Sequence, residues 1–347
     1  MFKPYNKAQL TFDLVKEIGQ SGRNSKTYIS RDHQLDAEIV IKQIAKKELA
    51  SPENFFDESK ALYASAHPNV VQIHYACEDA ESIYLAMPYY RRGSVKEMIT
   101  GKHMTVREVV AIGCNVLTGL HNIHSKKLIH FDVKPDNVLI SDRGEGLLSD
   151  FGLAKQMNFS GIAGQDRLYT PMTPPEATRG DHFDVTFDIY QVGLTFYRMC
   201  NGNDAFYEQL QKYRPRTSFD RDAFRFDVRN GRFPDRKTFA AHVPSKLRNI
   251  VKKCLALKPD DRFQSAIDCA NALALVDGTT LDWRLSEING TRIWSKNENG
   301  TSYELTVKAD GEATCYKSVN GGNPRRVSDG CASAMSEKEI TSFLASY

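Results

Sequence analysis

The chain has 347 residues, 41% of them hydrophobic and 26% charged, with a formal net charge of +3. That length allows two or three compact units with cores of their own, in the composition of an ordinary globular protein. So small a positive excess gives no ground for nucleic acid or an anionic membrane as an obligatory partner. The seven cysteines (Cys77, Cys114, Cys200, Cys254, Cys269, Cys315, Cys331) are scattered and odd in number, with no Cys-x-x-Cys pair. They argue against a disulfide framework or zinc site and for a reducing cytoplasm. The opening Met1-Phe2-Lys3-Pro4-Tyr5 lacks a secretory apolar run, and no uncharged apolar window reaches spanning length, so no membrane segment is expected. Nothing in the sequence sets an oligomeric state.

Residues 1–11 read as an N-terminal extension. Phe12–Ile18 alternates at strand period and runs into a turn at Gly19. Ile39-Val40-Ile41-Lys42 is a β-branched strand, 55–66 suits a helix that stops before His67-Pro68, and 82–90 is a strand leading to a turn at Gly93. From 94 to about 276 the spacing predicts helices over 106–124, 188–199, 247–257 and 266–276. A strand-rich lobe over 12–90, hinge included, followed by a helical lobe over 91–276 predicts two packed lobes with a cleft between them. Residues 277–347 change character. Apolar runs at 292–294, 303–307 and 313–319 are separated by Asn299-Gly300 and Asp310-Gly311, and Ser336-x-x-Glu339 reads as a capping box. This is a small β-rich domain ending in a helix, too short for an independent core and expected to pack on the large lobe, with Trp283 and Trp294 as core anchors.

The chemistry-bearing stretch is His130-Phe131-Asp132-Val133-Lys134-Pro135-Asp136-Asn137, with Ser149-Asp150-Phe151-Gly152 close behind. Two acids, a lysine and an amide in this order can hold a hydroxyl, neutralise a phosphate and coordinate magnesium. The set resembles the catalytic loop and the magnesium-binding loop of eukaryotic-type serine/threonine protein kinases. The resemblance covers 12–276 and implies an α+β, bilobal fold, with the C-terminal β-rich appendix outside it. It also implies transfer of the γ-phosphate of ATP to serine or threonine of a protein substrate, with Mg2+ and with autophosphorylation.

Carried over residue by residue, the resemblance makes Asp132 the base, Lys134 the contact to the transferring phosphate, and Asn137 and Asp150 the metal ligands. Lys42, at the end of its apolar strand, matches the lysine that contacts the α- and β-phosphates. Glu58 matches its helix partner; Glu53 is a weaker rival, and Asp57 is turned about 100° away on the helix. The loop from Ile18 to Tyr28 resembles the glycine-rich phosphate cover, with Gly19, Gly22 and Ser25 in place of three glycines, one extra residue, and Thr27 in place of a valine. Val40 stands where alanine is usual, Met87 is the gatekeeper, the backbone of Pro88 and Tyr90 faces adenine, and Leu139 joins the nucleotide-binding set.

Three further matches concern the large lobe. Asp150–Glu176 resembles an activation segment closing in Pro174-Pro175-Glu176, with Arg262 as the partner of Glu176. Asp188 matches the acid that braces the catalytic loop, and Gln191 stands at a position usually held by serine. Thr170, rather than Thr173, is expected to bond the catalytic aspartate and lysine, and Ser160, Tyr169 and Thr170 are candidate phosphorylation sites. His130 is expected to pack under Phe151. His121 and His124 share a helix face but lack a third ligand, so they do not make a zinc site. Phe131 departs from the family's arginine, which pairs with a phosphorylated activation segment; activity without such phosphorylation is the corresponding expectation. A nucleotide-binding scaffold without turnover and a small-molecule kinase of related fold are the rival readings.

Overall fold

The computed structural model describes residues 10–18, 25–49, 56–166, 169–214 and 218–347. These fall into two compact units whose sequence boundary lies between Arg91 and Arg92. The first unit carries β1 (Phe12–Ile18), β2 (Ser25–Asp32), β3 (Ala37–Ala45), α1 (Asp57–Ala64), β4 (Tyr75–Glu78) and β5 (Ser82–Pro88). Its antiparallel sheet has the order β1-β2-β3-β5-β4. Alternation puts Ile39 and Ile41 on one face, where they are buried with Ala86 against Phe12, Tyr75 and Tyr84. The helix α1 ends at Ala64, shorter than the spacing predicts, because the chain must straighten before His67-Pro68. Phe55, at its expected start, lies outside the described residues. Pro88 closes β5 two residues early, since it has no N–H to extend the ladder.

The second unit begins with α2 (Val95–Met98) and α3 (Val106–Ser125). Thr105 and Glu108 form a capping box at the start of α3, and Val109, Ile112, Val116, Leu120 and Ile123 give it one buried stripe. Short strands follow: β6 (Leu128–Ile129), β7 (Val138–Ile140), β8 (Gly146–Leu148), β9 (Lys155–Gln156), β10 (Ala163–Gly164) and β11 (His182–Phe183). They pair as β6–β9, β7–β8 and β10–β11. Next comes α4 (Thr186–Gln211), two helical stretches that meet at Gly202; the first covers the expected 188–199 and is buried throughout. The helical path is broken and kinked at Gly202, whose φ of 80° and ψ of 161° suit glycine. The nine-residue α5 (Arg221–Arg229), capped by Asp220, was not expected; only Phe224 and Val228 mark its buried face, too few for a period to show. The helices α6 (Ser245–Cys254) and α7 (Ala266–Ala274) complete the helical region, and no helix among the described residues is long and apolar enough to cross a membrane.

The tail forms an antiparallel meander of β12 (Arg284–Ile288), β13 (Thr291–Glu298), β14 (Thr301–Val307), β15 (Ala313–Val319) and β16 (Arg325–Arg326), followed by α8 (Glu337–Ser346). Asn299 and Gly300 take φ of 50° and 76°, as a two-residue hairpin turn demands. Asn289-Gly290 makes the same turn between β12 and β13, a further hairpin beyond those expected above. Ser336 and Glu339 form the expected capping box of α8. Trp283 and Trp294 are both fully buried, in a core with Leu285, Leu305, Val307, Cys315, Ile340 and Leu344 that extends to Ala241. The Trp283 Nε1–H donates to Leu344 O at 3.0 Å, and Trp294 Nε1–H to His242 Nδ1 at 3.4 Å. Arg107 on α3 grips Asp282 through two bonds of 2.6 and 2.8 Å, and Arg284 reaches Glu108 Oε1 at 2.7 Å. The sheet is thus fastened to α3 and to residues 241–242. Trp283→Ala should lower stability by about 3–5 kcal/mol, through a large cavity and an orphaned carbonyl, measured as a drop in melting temperature.

Candidate active site

In the first unit, Lys42 Nζ lies 2.6 Å from Glu58 Oε1, which joins β3 to α1. Asp57 is turned away and pairs with Lys60 at 3.6 Å, while Glu53 lies outside the described residues. Residues directly opposite one another in an antiparallel ladder point to the same face. The register sets Ile18 opposite Thr27, Thr27 opposite Lys42, Ser25 opposite Ile44 and Val40 opposite Met87. Ile18, Ser25, Thr27, Val40, Lys42 and Met87 therefore share the sheet face away from the Ile39–Ile41 core. Pro88 stands opposite Ile39 and so belongs to the other face, and Tyr90, beyond the end of β5, is half-buried. Gly19 and Gly22, expected in the loop between Ile18 and Ser25, lie outside the described residues.

In the second unit, the loop after β6 is held from α4. The Asp188 carboxylate, fully buried, accepts from the backbone N–H of His130 and of Phe131, both at 2.8 Å, and meets His124 Nε2 at 2.8 Å. One turn on, Gln191 accepts from Val133 N–H at 2.9 Å and donates to Phe131 O at 3.0 Å. These bonds hold Phe131 at a φ of 64°, a conformation that costs a non-glycine residue energy and persists only when its surroundings impose it. Gln191 is therefore a loop clamp, not merely a replacement for serine.

The loop presents Asp132. Its Oδ2 accepts from Lys134 Nζ at 2.7 Å and from Asn137 Nδ2 at 2.8 Å, and its Oδ1 is buried with no partner among the described residues. Asn137 Nδ2 also donates to Asp132 O at 2.9 Å, so both bonds use the amide nitrogen and the amide oxygen is left for another group. Burial raises the Asp132 carboxyl above its ordinary range; the Lys134 ammonium opposes this and the Asp150 charge adds to it. Asp150 is exposed, at a φ of 61°. The His130 ring meets the Phe151 ring edge-on at 4.9 Å and its Nε2 faces Ser149 O at 3.1 Å; burial pushes the imidazole toward neutrality. Leu139, on β7, pairs with Ser94 in an isolated bridge. Asp136, absent from the expected set, anchors the loop through Lys96 at 2.6 Å and Arg198 at 3.6 Å.

The segment after Asp150 corrects one expectation. Thr170 makes no side-chain bond to Asp132 or Lys134, because it begins a short 3-10 turn (Thr170–Met172), and Thr173 Oγ1 donates to Tyr169 O at 3.2 Å. The ring of Tyr169 instead covers Lys134, whose Nζ is 4.6 Å from the ring centroid. At the closing end, Arg262 grips Glu176 through two bonds of 2.7 Å and also donates to Thr186 O and Ala256 O. Phe131 is buried with its ring 4.9 Å from Phe187 and 6.1 Å from Phe183, in a cluster that includes Met157 and Ala163 from the segment.

A five-stranded antiparallel sheet bearing a lysine–glutamate pair, and a helical unit bearing a braced aspartate with lysine and asparagine, define the α+β protein kinase fold. The family model described as the protein kinase domain matches residues 12–273, and the chain belongs to that family. It is 28% identical over 262 residues to a probable serine/threonine-protein kinase of Clostridium perfringens, covering 74% of this chain and 36% of that protein. It is 25% identical over 267 residues to the serine/threonine-protein kinase PrkC of Bacillus subtilis, covering 74% and 39%. With the serine/threonine-protein kinase PknD of Chlamydia muridarum it shares 23% over 320 residues, covering 81% and 33%. The chain thus spans between 33% and 39% of the length of these relatives.

Proposed function

We propose that the protein transfers the γ-phosphate of ATP to serine or threonine hydroxyls of protein substrates. The observation that carries this reading is Asp132: buried, with Lys134 and Asn137 on one carboxylate oxygen and no described residue on the other. The free Oδ1 suits an acceptor hydroxyl. The acceptor oxygen would form its bond to the γ-phosphorus as the bond to the bridging oxygen of the leaving diphosphate breaks, and the hydroxyl proton would pass to Asp132. Lys134 would stabilise the charge on the transferring group. Lys42, held by Glu58, would contact the α- and β-phosphates, and Ile18, Ser25, Thr27, Val40, Met87, Pro88, Tyr90 and Leu139 would line the nucleotide. Asn137 and Asp150, an amide oxygen and a carboxylate, are hard donors of the kind magnesium takes; when bound, the ion would neutralise charge on the phosphate oxygens. Autophosphorylation at the exposed Ser160 and a reducing cytoplasmic setting for the seven free cysteines belong to the same reading.

Incubation with γ-labelled ATP, magnesium and a protein mixture should yield phosphoserine and phosphothreonine that are absent with Asp132→Ala. Nucleotide binding without any transfer would favour a scaffold, and labelled metabolites without labelled protein a small-molecule kinase. Phe131 adds a second expectation. An aromatic cluster holds the loop against the segment where a charge clamp would need a phosphate, so phosphatase treatment should leave turnover essentially unchanged. Loss of most activity, regained on rephosphorylation, would refute that expectation.

A further inference from the structure

Lys134 has the longest reach and the most rotamers of any group beside Asp132, and a flexible ammonium serves phosphate transfer only if something fixes it. Two groups do so. Asp132 Oδ2 lies at 2.7 Å, and the face of Tyr169 lies 4.6 Å from Nζ, inside the range of a cation–π contact. The ring is itself supported. Its phenol faces Tyr207, Asp136 and Arg198, and burial together with Tyr207 pushes it up, so it stays neutral. Tyr207 in turn lies under the Arg198 guanidinium at 5.4 Å, and Arg198 is fastened to Asn203 Oδ1 through bonds of 2.9 and 2.7 Å. Arg198, Asn203 and Tyr207 sit on α4 to either side of Gly202, and the same Arg198 faces Asp136, two residues after Lys134. The threonines of the segment reach neither Asp132 nor Lys134.

We propose that Tyr169 is the positioning residue for Lys134: its ring face, backed by Tyr207 and Arg198, holds the ammonium where the transferring phosphate passes. The inference rests on the phosphotransfer reading above. It makes the ring, not the hydroxyl, the working part, because the contact to Lys134 is with the ring. A threonine or serine hydroxyl in this segment is then unnecessary for Lys134.

The test is steady-state transfer from ATP to a mixture of serine- and threonine-containing peptides. Tyr169→Leu should lower kcat about 10- to 100-fold through a misplaced Lys134, with KM for ATP changed less than about twofold. Tyr169→Phe should restore most of kcat. In a Lys134→Ala background, the leucine substitution should have no further effect, which a loss of general stability would not reproduce. Wild-type kcat in Tyr169→Leu, an equal loss in Tyr169→Phe, or the same factor lost in the Lys134→Ala background would each overturn the proposal. If melting shows that Tyr169→Leu does not fold, Tyr169→Met, whose unbranched side chain adapts to the space left by the ring, takes its place with the same expected outcomes. Asp132→Ala run in parallel separates the two claims: retained transfer there defeats the phosphotransfer reading, whereas its loss beside a wild-type Tyr169→Leu defeats only the role of Tyr169.

Discussion

Asp132→Asn should reduce kcat by about 10²–10⁴-fold while leaving KM for ATP nearly unchanged. The amide matches the carboxylate in shape and can still accept one bond from Lys134 or Asn137, but it cannot take a proton from an alcohol. The same change should not weaken the fold. Burial raises the Asp132 carboxyl, so the charged form is the costly one in the native state. A group raised in this way binds more protons folded than unfolded, and its charge therefore erodes stability as pH rises through that interval. Replacing it with a neutral amide should hold or raise the melting temperature while removing turnover. The direction of the shift also predicts the acid limb of the rate profile. As pH falls, Asp132 takes up its proton at a higher pH than an ordinary aspartate would, so kcat should decline early. Asp150→Asn removes one cause of the rise, yet it also takes away a proposed metal ligand, so only the wild-type profile reads this cleanly. Wild-type turnover in a folded Asp132→Asn protein would remove this residue from the chemistry.

Arg262→Ala should be among the most destabilising single changes, costing about 3–5 kcal/mol. Its guanidinium is fully buried, spans Glu176 with two bonds, and satisfies the carbonyls of Thr186 and Ala256 besides. Truncation leaves Glu176 without its cation and several acceptors without donors, each an added penalty. For a unit of this size the expected fall in melting temperature is roughly 10 °C. Arg262→Lys should recover little, because an ammonium cannot make the two parallel bonds of a planar fork. A melting temperature within about 2 °C of wild type would show that the pair contributes little.

Which residues come together was legible where a motif carries them at short range. Lys42 and Glu58 are set by a β-branched strand followed by a helix, and Asp132, Lys134 and Asn137 lie within one loop. The tail was legible through Asn-Gly turns, whose backbone demands few other residues meet. What stayed hidden depends on partners distant in sequence. Gln191 reaches the loop across 58 and 60 positions, and Asp136 meets Lys96 across 40. No local pattern reports such pairings. Tyr169 was hidden for a different reason: the spacing of the closing motif left the neighbouring threonines as natural candidates, and only the path of the short 3-10 turn sets the tyrosine against Lys134.

The Phe131 cluster also sets the solution conditions to which the loop is indifferent. A guanidinium bound to a phosphate loosens as electrolyte is added, whereas aromatic rings packed together carry no charge to be screened. They respond to temperature instead: the drive that gathers apolar surface weakens on chilling, so the grip of Phe131, Phe183 and Phe187 on the segment slackens in the cold and tightens on warming. The order of this segment is thus expected to follow temperature more closely than the screening of charge.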